Sequence, residues 1–528
     1  MTCTRLVAIA TGLTVLSVAL SAVPASADVS LAAPFSDHMV LQRSMAVPVW
    51  GTAGDGEEVT VTFRGQSKTA TAGTDGKWSV KLDSTASGGP FTLIAAAKGK
   101  NTVTIADVMV GEVWLASGQS NMEFDMNGLA AANLDSAKAA DFPILRLMNF
   151  RGSGKWAVCA PGTALYFSAT AYYFGRDLQQ ALKIPVGIVS SAVGGTEIER
   201  WLDPATLAAD PLLKNDTTTG DLYRQYIAPL APMAMKGAIW YQGESNATAT
   251  NGNHPNWIGT YYRSRFQNLI LGWRKVWGQG DFAFHFVQLA NLMAAQTDPG
   301  ETSAWADLRE SQRLDLVVPN TAMAVIIDIG DAGDIHPKDK WDVGKRLALP
   351  ALAKIYGQKD LVWSGPMYQS MLVKGNAARL VFGYADGMTA RGASTAPGTK
   401  LKGFAIAGAD KKWYWADATI SKDTVIVSSA SVAAPIMVRY GYANNPDCNL
   451  VNAAGLPASP FKTDGAQLPI PTPVEQQFAR RAAPSPLLPI DAGPRADMLG
   501  RLEQASRPAS AKATRILLER NLGRNQDR

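Results

Sequence analysis

The chain has 528 residues, 47% of them hydrophobic and 18% charged, a globular composition long enough for several domains and incompatible with wholesale disorder. Its formal charge of +5 is unevenly placed: residues 465–528 hold ten Lys/Arg against six Asp/Glu, and Arg5 lies at the extreme N-terminus. The stretch 28–464 is therefore close to neutral, which argues against a polyanion-binding body, and no nucleic-acid partner is expected.

From Met1 to Ala27, Arg5 precedes an apolar stretch, Leu6–Leu20, and the segment closes on Ala25-Ser26-Ala27. This is the pattern of a secretory signal peptide cleaved after Ala27, so the protein is expected to be exported, periplasmic or secreted. The stretch is short and interrupted by Thr and Gly, and no other run approaches spanning length, so no stable membrane insertion is expected. Cleavage removes Cys3 and leaves Cys159 and Cys448. A disulfide between them and separate burial are both compatible with the sequence.

Residues 28–107 alternate in short runs such as Val59–Phe63 and Trp78–Leu82, separated by turns at Gly54-Asp55-Gly56 and Asp75-Gly76. They predict a small β-sandwich. Between 108 and 357 apolar strands, including Ile144–Phe150 and Phe282–Leu289, alternate with helical patterns at Thr163–Leu182, Trp257–Val276 and Lys340–Tyr356. Such alternation predicts a mostly parallel sheet covered on both faces, with functional groups beyond the strands' carboxyl ends. Residues 358–464 return to strands, at Arg379–Phe382, Trp413–Trp415, Thr424–Val427 and Ile436–Tyr440, and predict a second β-domain. The basic Pro/Ala/Arg-rich segment 465–528 lacks the apolar density for a core and is expected to be a disordered tail.

Four blocks in the α/β segment end apolar runs. The first, Glu112–Met122, presents Ser120 in Gly118-Gln119-Ser120-Asn121-Met122; Met122 replaces the second glycine of Gly-x-Ser-x-Gly, which disfavours an ordinary α/β-hydrolase elbow. The others are Gly194–Trp201 after Val186–Val193, Trp240–Asn246 after Gly237–Ile239, and Asp328–Pro337 after Met323–Ile327. A serine hydroxyl needs a base, and donors for the charge that develops on the carbonyl oxygen. Of the four histidines, His38 lies in the N-terminal β-segment, His254 in an Asn-rich loop and His285 in a strand-like run. His336, on a loop after an Asp-rich strand end and before Pro337, is the candidate base.

The order and wording of these blocks resemble the SGNH hydrolases and, within them, the sialate O-acetylesterase family of sugar deacetylases. The resemblance extends to Phe35–Arg43 and to Gly455–Asp464. It implies an SGNH-type three-layer α/β/α domain with a mostly parallel sheet, flanked by N- and C-terminal β-sandwich-like domains. It also implies Ser120 as nucleophile, His336 as base, and an oxyanion hole built from the backbone N–H of Ser120, that of Gly195, and a side chain of the third block, Gln242 or Asn246. Where the family pattern would put Asp at 333 this chain has Gly333, so the acid is Asp334, two residues before the histidine, or Glu244.

Asp328, Asp331 and Asp334 lack the calcium-loop spacing, and no Cys/His cluster has zinc spacing, so neither metal nor organic cofactor is expected. The implied activity is removal of O-acetyl groups from an acetylated sugar or glycan through an acyl-serine. Sialic acids lead, with acetylxylan or another glycan as the alternative. A noncatalytic carbohydrate-binding protein is the alternative of another class.

Overall fold

The computed structural model describes residues 28–128, 131–215, 219–247, 261–396 and 398–464. The expected signal peptide, the 465–528 tail and His254 lie outside the described residues.

Alternation shapes the N-terminal part. Glu58–Phe63 and Lys77–Leu82 bury every second side chain, because successive strand residues face opposite sides. Ser30–Leu31, Val47–Thr52 and Lys77–Leu82 make one antiparallel sheet, and Glu58–Phe63 pairs with both Gln66–Thr71 and Gly88–Ala97.

Strand β1, Thr102–Gly118, carries the chain into the centre. Its first half pairs antiparallel with Gly88–Ala97 and is only partly buried, whereas every residue from Val108 to Gly118 is buried. That change marks entry into a parallel sheet covered on both faces. The boundary expected at 107/108 thus falls inside one strand. Asp107 takes φ +52° there, and its carboxylate is held by Arg146 and His38.

The remaining central strands are β2 (Phe142–Asn149), β3 (Trp156–Cys159), β4 (Val186–Ala192), β5 (Gly237–Tyr241), β6 (Ala283–Val287) and β7 (Thr321–Ala324). Their order is β3-β2-β4-β1-β5-β6-β7, parallel throughout except between β3 and β2. Because β4 and β5 flank β1 from opposite sides, a crevice opens beyond the carboxyl ends of these three strands.

Side-chain parity assigns the faces. Phe284 and Phe286 of β6 pack on Phe266 of helix Tyr262–Trp277, while His285 between them lies against Trp114. Helix Lys340–Pro350 packs on β6, β7 and helix Ala169–Leu182, the last of which also covers β2 and β4. The helix predicted over 163–182 is two: Pro161–Ala164, then Ala169–Leu182, which starts where the Ser168 hydroxyl caps Ala171 N at 3.1 Å. The helix predicted over 340–356 continues beyond Pro350, which has no N–H for the helical ladder, as a π-type turn at Ala351–Ile355.

After residue 357 two four-stranded sheets follow. They comprise Met367–Lys374, Ala377–Gly383, Asp417–Ser421 and Thr424–Ser428, and then Phe404–Ala407, Trp413–Trp415, Met437–Tyr440 and Phe461–Lys462. Leu380, Val425 and Val427 of the first share a core with Ile406, Val438 and Phe461 of the second. Cys159 and Cys448 are both free thiols, so the disulfide that the sequence left open is not made.

Candidate active site

Ser120 sits where β1 stops. Gly118 takes φ +138°, and a Cβ there would come 2.1 Å from Tyr241 O, so only glycine lets the ends of β1 and β5 approach this closely. Gln119 N donates to Tyr241 O at 2.9 Å, and Val193 N donates to Gly118 O at 3.1 Å, tying the ends of β5 and β4 to the nucleophile turn. Ser120 then opens the short helix Ser120–Glu123.

His336 reaches this serine from a loop 216 residues away in sequence, with Nε2 at 3.0 Å from Ser120 Oγ. Its ring stands edge-on to Phe124, centroids 4.4 Å apart. Burial holds its pKa below the ordinary histidine value, Lys340 and Lys338 push the same way, and Asp334 opposes them. Asp334 Oδ1 lies 3.4 Å from His336 Nδ1 and also accepts the His336 backbone N–H at 2.8 Å. Its other oxygen accepts from Lys338 Nζ at 2.7 Å, and Lys338 is the chief reason its carboxyl is held below the usual carboxylate range.

Glu244, the rival acid, is buried and accepts from Asn121 Nδ2, and among the described residues it makes no hydrogen bond to His336. Asp328 is paired with Arg346 and Arg391, and Asp331 accepts from Gly333 N. Each aspartate of the fourth block therefore has its own protein partner. His285 is buried and its pKa is pushed down to about 3, chiefly by desolvation, as expected of a packed core histidine.

The second block meets the nucleophile directly. A Cβ on Gly194 would lie 3.3 Å from Ser120 Cβ, and Gly194 N donates to Glu123, which Arg151 also holds. Gly195 takes φ +68°. Among the described residues, neither Ser120 N–H nor Gly195 N–H donates to a protein acceptor. The side chains expected as a third donor behave differently. Gln242 Nε2 donates to Thr196 O at 3.0 Å and to Asn246 Oδ1 at 2.8 Å, while Asn246 Nδ2 donates to Glu199. Both amides are buried and lock the second block to the third.

Residues 110–352, which span all four blocks, match the family model for carbohydrate esterase, sialic acid-specific acetylesterase. The sialate O-acetylesterase of Pongo abelii is 30% identical over 494 residues, covering 81% of this chain and 91% of that protein. The chain belongs to the sialate O-acetylesterase family. The Homo sapiens sialate O-acetylesterase is 32% identical over 388 residues, 63% of this chain and 72% of its own. A crystal structure of a carbohydrate acetylesterase from Xanthomonas citri matches with a TM-score of 0.75 at 40% identity, over 83% of this chain and 99% of that one. As a member of the sialate O-acetylesterase family, the chain is a carboxylic ester hydrolase.

Several residues of this site carry no individual signal in the sequence. Glu199 is fully buried against Arg265 and Asn246, and Ile198 N donates to Asn246 Oδ1 at 3.0 Å. Burying an ion pair is costly unless its remaining valences are met, and here they brace the Gly195 loop. Glu199 is one of three charged residues in its block, with Glu197 and Arg200, and nothing in the sequence singles it out. Asn121 and Lys340 had no sign either, because their partners lie more than one hundred residues away in sequence.

Proposed function

We infer that the protein is an exported serine esterase that removes O-acetyl groups from sugars, sialic acids foremost. The observation that carries the site assignment is the 3.0 Å contact between Ser120 Oγ and His336 Nε2 beyond the carboxyl ends of the parallel sheet, in a chain of this family. Ser120 Oγ attacks the acetyl carbonyl while His336 Nε2 takes its proton. The oxyanion lies against the N–H groups of Ser120 and Gly195, and Asp334 stabilises the imidazolium. Collapse expels the sugar hydroxyl, protonated by His336, and leaves acetyl-Ser120. Water, deprotonated by His336, then releases acetate and restores the serine.

The order of the parallel strands and their cover on both faces support an SGNH-type three-layer α/β/α domain, flanked by β-sandwich-like domains at 28–107 and 358–464. Cleavage after Ala27 completes this reading, whose leader rests on sequence alone. No described helix is long and apolar enough to cross a membrane.

The deciding experiment is acetate release from a panel of acetylated sialic acids and acetylated xylan, with Ser120→Ala alongside. Faster turnover of the sialic acid esters, abolished in Ser120→Ala, is expected. Preference for xylan would move the substrate, and no turnover of any ester would return the noncatalytic reading.

A further inference from the structure

Directly behind the nucleophile, three buried polar side chains meet that the acyl-transfer chemistry does not use. Asn121, Glu244 and Lys340 are 1%, 3% and 0% exposed. Asn121 Nδ2 donates to Glu244 Oε1 and, at 3.0 Å, to Ile335 O; Asn121 Oδ1 accepts from Lys340 Nζ. One amide thus joins four pieces of chain: the nucleophile turn, the third-block turn Glu244–Asn246, the His336 loop through its preceding carbonyl, and the start of helix Lys340–Pro350.

The chemistry fixes which way that amide points. A carboxylate only accepts and an ammonium only donates, so Glu244 and Lys340 on opposite sides leave Asn121 one satisfied orientation. Asn121 is covalently next to Ser120, and Ile335 is next to His336. The brace therefore spans the two reacting side chains on their protein side, where a shift of about 1 Å costs on the order of 10²-fold in rate. Burial lowers the Lys340 pKa to about 7 and raises that of Glu244, and burying such an ionisable pair for packing alone is unfavourable compared with apolar side chains of similar volume, so their placement here needs another reason.

We propose that Lys340 and Glu244 are positioning residues, acting through Asn121 to hold Ser120 and His336 at the separation that proton transfer requires. This rests on the Ser120–His336 assignment above. The groups that face Lys340 are Glu244, Asp334, Asp339 and Lys338, together with the Tyr241 ring, 5.4 Å from Nζ. Those that face His336 are Asp334, Lys338 and Lys340. Lys340 is also a cation that disfavours the imidazolium, so removing it raises the His336 pKa and moves the acid limb of kcat/KM to higher pH. A residue serving only to fill the core would not move that limb.

The test is Lys340→Met, which keeps the aliphatic stem, assayed with p-nitrophenyl acetate across pH, with circular dichroism to check folding. The expected result is a kcat lower by about 10- to 100-fold, KM within about threefold, and the acid limb displaced upward. A folded Lys340→Met with kcat within threefold and an unmoved limb overturns the proposal. Should Lys340→Met not fold, Glu244→Gln and Glu244→Leu decide. Gln retains a carbonyl acceptor for Asn121 Nδ2 and should turn over at least tenfold faster than Leu; equal rates overturn the proposal. Ser120→Ala in the same series separates the two levels. If it stays active the nucleophile assignment itself fails, whereas inactive Ser120→Ala beside wild-type-like brace variants removes only the brace.

Discussion

Replacing Asp334 by Asn keeps the shape of the His336 loop and removes one charge. Asp334 Oδ1 is 3.4 Å from His336 Nδ1, a separation at which two unit charges interact by about 1 kcal/mol in a water-like dielectric and about 5 kcal/mol at an effective dielectric of 20. The Asp334 side chain is 33% exposed and is shared with Lys338, so solvent and counter-charge draw the effect toward the lower end, about 1–3 kcal/mol. At about 1.4 kcal/mol per factor of ten, Asp334→Asn should lower kcat/KM by roughly 5- to 140-fold.

The pH profile gives an independent reading with a definite sign. Asp334 raises the His336 pKa, so its neutral replacement lowers that pKa, the free base persists to lower pH, and the acid limb of kcat/KM moves down. Initial rates with p-nitrophenyl acetate and with an acetylated sialic acid, taken across the acid limb, measure both quantities. An Asp334→Asn enzyme within threefold of wild type, with its limb unmoved, would refute Asp334 as the acid. The imidazole would then be oriented without a carboxylate at Nδ1, or through Glu244.

Ser120→Ala should cost roughly 10⁴-fold or more in kcat with the fold retained, His336→Ala about as much, and the double variant little more, because nucleophile and base act as one unit; multiplied losses in the double variant would contradict the 3.0 Å contact. Gly118→Ala should destabilise by about 3 kcal/mol or more, since a Cβ would press on Tyr241 O at 2.1 Å with φ at +138°. An unchanged Tm there would contradict the close approach of β1 and β5. Arg265→Met leaves Glu199 as a buried carboxylate without its cation, so a loss of about 3–5 kcal/mol is expected, measured by thermal or denaturant unfolding.

What the sequence alone determined was periodic or local. Alternating runs placed the strands at Glu58–Phe63 and Lys77–Leu82 to within a residue, and apolar runs marked β1, β4 and β5 with their blocks. Strand parity and turn chemistry act between neighbours in the chain, so a linear string records them. His336 was separable from His38 and His285 because the surroundings of each were already visible in the adjacent residues.

Tertiary structure decided everything that depends on distance through space. It set Asp334, and not Glu244, near His336 Nδ1, engaged Gln242 and Asn246 in holding two loops together, and ran one strand through the boundary expected at 107/108. It also gave Asn121 partners at 244, 335 and 340. A carboxylate's role follows from the group it faces, and that group is chosen when parallel strands far apart in sequence are brought side by side.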